Sequence, residues 1–268
     1  MEMTTSSKGT AVVTGASAGI GAKYVQHLAE RGYDIIMVAR NRERMTALAN
    51  RLAAETDRKF EIVEADLSAA ADVRRVADIL RTNASITMLV NNAGVGAVTP
   101  LLDSNADTME SMIDINITAL TRLTMAVAPA FVARGAGTIV NIASIVAIAP
   151  EMLNGVYGGT KAFVLAYSQS LRHELAGKGV RVQAVLPGAT STEFWELAGT
   201  SVDALPSGIT MTADNLVKSA LAGLDQGEFV TIPSLPDAAD WQTYDDARNA
   251  MTPNLSREKP AARYGITA

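Results

Sequence analysis

Tyr157 and Lys161 are the residues of this 268-residue chain whose types and spacing most directly permit chemistry. Four apart on a helix, a phenol and an ammonium share one face, one turn from each other. A free tyrosine titrates near ~10 and a free lysine near ~10.4. A fixed ammonium close by favours the phenolate, so Lys161 is expected to lower the pKa of Tyr157. A phenol tuned that way can trade a proton in general acid–base catalysis. The same spacing also occurs on plain surface helices, where an aromatic and a solvated charge do nothing. What separates the two readings lies upstream.

The rest of the composition narrows the chemistry. Cysteine is absent, which removes disulfides, thiolate nucleophiles and cysteine-bound metals together. The two histidines, His27 and His173, are far apart in the chain. A histidine metal site or a Ser-His-Asp triad is therefore not expected, and each histidine reads as a helix-surface residue without a partner. Net charge is −5, with no block of lysine or arginine, so no nucleic-acid partner is expected. Met1 to Thr10 is polar and lacks the apolar core of a secretory signal. No apolar run reaches the ~18–20 residues of a membrane span. The expectation is a cytoplasmic protein with no membrane partner.

The elements that must position the tyrosine and lysine alternate in type. Ala11-Val12-Val13 is a short apolar strand that runs into Thr14-Gly15-Ala16-Ser17-Ala18-Gly19-Ile20-Gly21. A helix is expected from Ala22 to Arg31, stopped by Gly32, and a second strand from Asp34 to Ala39. This strand, glycine-rich turn, helix, strand is a βαβ unit. Its glycines allow a pyrophosphate to approach the backbone, and the helix N-terminus offers that anion N–H donors. A charged amphipathic helix follows from Asn41 to Glu55, then a third strand from Phe60 to Ala65. Further expectations are a helix over Ala71 to Arg81, a strand over Ile86 to Val90 and one long helix over Asn105 to Ala133. A strand over Gly137 to Ala143, a helix from Tyr157 to Ala176, and a strand over Val180 to Val185 come next. A short helix over Thr212 to Asp225 and a last strand over Phe229 to Pro233 complete the set. The strands are rich in valine and isoleucine and nearly continuous in apolar character, as in a parallel sheet covered on both faces. The fold expected is α/β, a doubly wound seven-stranded parallel sheet of Rossmann type. It forms a single domain, 1–268, with core 8–233 and a C-terminal extension 234–268.

In such a sheet ligands bind beyond the carboxyl ends of the strands. The polar and glycine residues gather there: Gly15, Arg40, Asp66, Asn91, Ser144, and Pro187 with Gly188, after strands one to six in turn. That shared placement lifts Tyr157 and Lys161 above an accidental spacing.

With these residues in view, the chain resembles the short-chain dehydrogenase/reductase family, in its single-domain branch. The resemblance rests on the Gly-x-x-x-Gly-x-Gly turn, Asn91-Asn92-Ala93-Gly94, Ser144 and Tyr-x-x-x-Lys, and it covers about residues 8 to 233. It implies an oxidoreductase. Tyr157 would be the general acid in carbonyl reduction and the base in alcohol oxidation. Lys161 would lower the tyrosine pKa and bind the nicotinamide ribose. Ser144 would donate a hydrogen bond to the substrate oxygen, and Asn116 would hold a water that links Lys161 to solvent. For the cofactor, the resemblance assigns Gly15, Ser17, Gly19, Ile20 and Gly21 to the pyrophosphate. It assigns Asp66 with Leu67 to adenine, and Asn91, Ala93 and Gly94 to the wall beside the adenosine ribose. Pro187, Gly188 and Thr192 would lie over the carboxamide, with Tyr157 and Lys161 at the nicotinamide end.

Five further expectations follow. Ala39 stands where NAD enzymes carry an acid, and Arg40 follows it, so NADP is expected as cofactor, with NAD the alternative. The reaction expected is reversible reduction of a ketone or aldehyde, its alternatives an NAD-dependent secondary-alcohol dehydrogenase or a catalytically silent dinucleotide-binding regulator. The substrate pocket would be lined by residues 145–154, Val95, Gly96, Phe194, Trp195 and Leu197, suiting a small carbonyl compound with apolar bulk. Two apolar stripes, Ala119-Leu120-Leu123-Ala126-Val127 and Phe163-Val164-Ala166-Tyr167-Leu171, are expected to support a homodimer or homotetramer. In the extension, Trp241 and Tyr244 share a face of a helix from Asp237 to Met251 and are expected to dock, over the substrate loop or on a neighbouring subunit.

Overall fold

The computed structural model describes residues 8–266. Part of the polar N-terminal stretch, residues 1–7, lies outside the described residues. The chain divides into two compact units at Pro233/Ser234, the point where the extension was expected to begin.

In the larger unit, β1 (Thr10–Thr14), α1 (Gly19–Glu30), β2 (Asp34–Ala39), α2 (Arg42–Thr56), β3 (Phe60–Glu64), α3 (Ala70–Thr82) and β4 (Ile86–Asn91) alternate strictly. After β4 come α4 (Ala106–Ile113), a π-helical segment (Asp114–Ala119) and α5 (Leu120–Arg134). Then follow β5 (Gly137–Ile142), α6 (Gly155–Glu174), β6 (Val180–Val185), β7 (Thr190–Ser191), α7 (Phe194–Leu197), β8 (Met211–Thr212), α8 (Ala213–Gln226) and β9 (Val230–Thr231). The main sheet has seven parallel strands in the order β3-β2-β1-β4-β5-β6-β9. The chain runs outward from β1 to β3, then returns to β4 on the other side. That reversal opens a crevice between the ends of β1 and β4, where such sheets bind ligands.

Each face of the sheet has its own core. Tyr24, Leu28, Met45, Leu52, Leu216 and Leu221 cover one, so α1, α2 and α8 lie there. Val73, Leu80, Leu123, Phe131 and Leu171 cover the other, which α3, α5 and α6 occupy. Both sides of every central strand are buried, which is why the strands read as unbroken apolar runs.

Four expectations need correction. The long helix is not uniform, because the π segment widens one turn around Asn116. The helical stretch Ala106–Arg134 is also long and apolar enough to cross a membrane, although no such run was expected. Its Leu123, Val127 and Phe131 pack into the core beneath the sheet, so it is a core helix. The stripe Ala119, Leu120, Leu123, Ala126 and Val127 is wholly buried in the chain itself. Of the second stripe, Val164 and Leu171 are buried, while Phe163 and Ala166 face outward. Finally, His27 is no surface residue. It is 8% exposed. Its Nδ1 lies 2.8 Å from Glu30 Oε2 and its Nε2 lies 2.8 Å from Asp214 Oδ1, joining α1 to α8. His173 is exposed, as expected.

The smaller unit holds α9 (Ala238–Ala250), started by Asp237, whose Oδ1 accepts from Ala239 N at 2.8 Å. Trp241 and Tyr244 do share a helix face, and their rings pack at 5.3 Å.

Candidate active site

The crevice is lined first by the glycine turn after β1. Gly15 (φ +67°) and Gly19 (φ +54°) adopt left-handed backbone. A Cβ at Gly21 would stand 2.1 Å from the Gly15 carbonyl oxygen, so only glycine lets α1 start this close to the turn. The helices α2, α4, α6, α8 and α9 are each capped by a side chain, from Asn41, Asn105, Asn154, Thr212 and Asp237. Helix α1, like α3, begins after an alanine that makes no capping hydrogen bond, here Ala18. Its first N–H groups therefore stay bare beside the crevice, the donor set a pyrophosphate takes. The residues present fit a dinucleotide. Ser17 and Ile20 lie half-buried in this turn, Ile20 packed on the core. From the far side of the crevice, Thr192 approaches: a Cβ at Gly19 would meet its methyl at 3.2 Å.

Two residues of the quoted motifs, given no role in holding the turn from sequence, hold it here. Asn92 Nδ2 donates to the Thr14 carbonyl at 2.8 Å. The Thr14 hydroxyl accepts from Asn92 N and Ala93 N, both at 3.0 Å, and donates to Val90 O at 3.3 Å. They clamp β1 to β4 at the mouth of the crevice. The doubled asparagine was the signal, but spacing alone does not divide the work between its two members. Asn91 turns its side chain away from the crevice, donating to Thr124 Oγ1 at 3.0 Å and Asn141 Oδ1 at 2.9 Å inside the protein. Any part it has in a ribose wall falls to its backbone. The side chain of Leu67 is likewise buried in the core.

Asp66 and Arg40 sit at the outer end of the crevice and line a cavity of about 780 Å³. Asp66 Oδ1 accepts from Ser68 N (2.9 Å) and Ser68 Oγ (2.7 Å). These hydrogen bonds, with Arg40 nearby, hold its carboxyl below the usual range.

At the inner end, Ser144, Tyr157 and Lys161 come together. Asn154 caps α6 by accepting from Val156 N (2.9 Å) and Tyr157 N (3.3 Å). Its Nδ2 donates to Thr99 O at 2.6 Å, fixing the first turn of α6 to the loop after β4. The Ser144 hydroxyl adjoins the Tyr157 phenol. Its other bonds, to Pro187 O at 3.4 Å and from Val146 N at 3.3 Å, are long, which leaves it free to serve a substrate oxygen. Lys161 Nζ donates to Ile142 O at 2.9 Å and lies 5.8 Å from the Tyr157 ring centroid. Asn116 Oδ1 accepts from Val95 N at 3.0 Å, and its Nδ2 donates to Val95 O (2.9 Å) and Thr160 Oγ1 (3.0 Å). The π segment is thus tied both to the loop after β4 and to α6. A Cβ at Gly94 would stand 3.1 Å from Asn116 Oδ1 and 3.4 Å from Lys161 Nζ, so these three residues converge.

The electrostatics reverse one expectation. Burial pushes the Tyr157 phenol up to about 12, and the neighbouring Ser144 hydroxyl pulls it only part of the way back. Burial also lowers Lys161 to about 8. Burial and the Ser144 hydrogen bond, rather than the Lys161 ammonium, set the direction of the tyrosine shift.

The apolar wall beside Tyr157 comprises Ala97, Met109, Met112 and Val146, with Val95, Leu153 and Phe194 packed on it. The Phe194 ring lies 5.7 Å from the Tyr157 ring, tilted by 46°, and so close to Gly96 that a Cβ there would overlap it. Of the other expected lining residues, Trp195 is buried and donates from Nε1 to Thr190 O at 2.9 Å, while Met152 and Leu197 face outward. Met109 and Met112 were not foreseen, since α4 precedes the active-site helix by some forty residues in the chain.

The family profile described as short chain dehydrogenase matches residues 9–202. A short-chain dehydrogenase from Sphingobium yanoikuyae, solved in complex with NADPH, is 47% identical with a TM-score of 0.92, covering 94% of this chain and 98% of that one. The bulky-bulky ketone specific alcohol dehydrogenase from Comamonas testosteroni is 42% identical with a TM-score of 0.89, covering 97% and 99%. Human 17-beta-hydroxysteroid dehydrogenase type 3 is 35% identical over 215 residues, which is 79% of this chain and 66% of that protein. The match of most of the chain to the family profile, together with these relatives, shows that the protein belongs to the short-chain dehydrogenase/reductase family and is an oxidoreductase.

Proposed function

We propose that the protein is an NADPH-dependent reductase of ketones with apolar bulk on both sides of the carbonyl. The observation that carries this is the buried pair of hydroxyls, Ser144 and Tyr157, set beside Lys161 at the foot of an apolar wall. NADPH, when bound, supplies the hydride. Tyr157 holds the proton that the carbonyl oxygen receives, and a phenol with a raised pKa keeps that proton throughout the neutral range. Ser144 donates to the same oxygen as negative charge develops on it. Lys161 binds the nicotinamide ribose, and a water near Asn116 links it to solvent. The glycine turn and bare N-terminus of α1 hold the pyrophosphate, with Asp66 at the adenine. Among the described residues the Arg40 guanidinium makes no hydrogen bond or ion pair and interacts with the charge of Asp66 beside it in the cavity, so it can turn to a 2′-phosphate.

The NADPH-bound Sphingobium structure and the ketone specificity in the Comamonas enzyme's description support this reading. So does the apolar wall, whose residues come from four separate segments. A panel of ketones and alcohols, each assayed with NADPH/NADP and NADH/NAD at the nicotinamide absorbance, tests it. Turnover of diaryl or aryl-alkyl ketones with NADPH is expected. Activity confined to small hydroxy acids or to NADH would overturn it. We propose also that the protein is a homodimer or homotetramer, through the outward residues of α5 and α6.

A further inference from the structure

Gly96 has a backbone that any residue could adopt, since its φ lies outside the left-handed region. Its missing side chain answers a neighbour instead. A Cβ there would stand 2.2 Å from Phe194 Cζ and 2.8 Å from Cε2, so the tip of the Phe194 ring rests on the Gly96 backbone. The same ring lies 5.7 Å from the Tyr157 ring and meets the Trp195 ring edge-on at 5.5 Å. It thus bridges Gly96, in the loop after β4, and Tyr157, on α6. The chain around Phe194 is pinned. Arg44 Nη1 donates to Glu193 Oε2 at 2.7 Å, and the buried Trp195 donates from Nε1 to Thr190 O at 2.9 Å. At the end of α7, Ala198 O accepts from Val98 N at 3.2 Å. The Phe194 ring has no such tie. It is half-buried and held by contact alone, so it can change rotamer while the backbone of the loop stays in place.

We propose that Phe194 is a specificity-determining side-chain gate: its ring, seated on Gly96, closes the apolar wall over Tyr157 and turns aside for a ketone whose larger substituent is a flat aryl group. This rests on the ketone-reductase reading above and deepens it, by fixing the shape of that substituent. An aryl group is as thin as the ring it displaces, so it can lie on the bare Gly96 backbone and pack on the Tyr157 ring. A saturated ring of the same carbon count is thicker and meets that backbone first. Turned aside, Phe194 bounds the slot on its outer side, which keeps the slot narrow. The gate also keeps water from the phenol, and burial is what raises Tyr157 to about 12.

The test is steady-state kinetics of the whole protein with NADPH on butyl phenyl ketone and butyl cyclohexyl ketone, which have the same carbon count. The readout is the ratio of their kcat/KM values, phenyl over cyclohexyl. In Phe194→Ala that ratio falls by about three- to tenfold, the range of one aromatic pair, because the cyclohexyl ketone gains through a lower KM. In Gly96→Ala it falls by the opposite route, through a higher KM for the phenyl ketone. The new methyl meets only the free end of a ring, so this variant folds. NADPH binding is measured alongside. Should either variant fail to bind it, Phe194→Leu, which keeps the bulk and loses the flat face, carries the same expectation of a lowered ratio. In alcohol oxidation, Phe194→Ala admits water to the phenol, so the rise of rate with pH sets in at lower pH than in the wild type. If the wild type reduces neither ketone, the reductase reading fails and this inference with it. If the wild type reduces them while Phe194→Ala keeps the full ratio, or leaves the pH profile unmoved, the reading stands and the gate is overturned.

Discussion

Burial decides the chemistry of the two central side chains. A phenol raised to about 12 is a proton donor at neutral pH and a poor base. Carbonyl reduction needs the donor and alcohol oxidation needs the phenolate. Alcohol oxidation should therefore climb from about pH 7 to about pH 10, while ketone reduction shows no such rise. Steady-state profiles in both directions check this, and an oxidation rate that is flat across the range would contradict it. Lys161 makes the complementary point about stability. Its pKa falls from 10.5 to about 8 on folding, so between those values the unfolded chain binds more protons than the folded one. Stability from this group accordingly increases as pH rises from 8 to 10.5, and the penalty is fully present below 8. Lys161→Met should raise stability at pH 7 by on the order of 1–3 kcal/mol while abolishing turnover. Denaturant titration reads the first effect, and an unchanged or lowered midpoint would argue against a strained lysine. The nearness of Tyr157 and Lys161 was legible in their spacing. The direction of the tyrosine shift was not, because four residues on a helix say nothing about depth in the protein.

The elements were largely legible, and the exceptions have physical causes. Each main strand is a short run of apolar, mostly β-branched residues ending at a polar or glycine residue, so strands and site residues were read together. The π segment left no mark, since one widened turn keeps the same apolar pattern as the α-helix around it. Strands β7 and β8 have two residues each, too few for any periodicity. The partner of His27, Asp214, is 187 residues away, and no local pattern could point to it. The loop–helix join at Asn154 is where an element bears most directly on the site. Asn154→Ala removes the cap of α6 and its bond to Thr99. It should cost about 1 kcal/mol or more of stability. Turnover should fall further than that stability loss explains, because Tyr157 N is one of the capped groups. Thermal melts and kcat measured together check this. A variant with unchanged kcat would show that α6 holds its first turn by packing alone.

At the scale of the molecule, the parallel sheet creates one crevice and brings residues from six strand ends to it. The sequence foretold that convergence, as well as the glycine turn and the Ser–Tyr–Lys cluster. It misassigned the α5 face, since an apolar stripe looks alike whether it meets its own sheet or another subunit. With the α5 stripe buried, what remains outward is Met125, 66% exposed, and Phe163, which stacks on Tyr167 at 5.7 Å. An oligomer built on these residues should weaken in Phe163→Asp, with a lower mass by light scattering at micromolar concentration. A wild-type monomer under the same conditions would contradict the assembly. In the proposed reaction a buried phenol, positioned by the fold, carries the proton. Tyr157→Phe removes one hydroxyl and keeps the ring against Phe194. Single-turnover reduction of a diaryl ketone by the NADPH-loaded protein is the most direct test. The rate should fall by on the order of 10²–10⁴ with NADPH binding retained. A near wild-type rate for this variant would contradict the account.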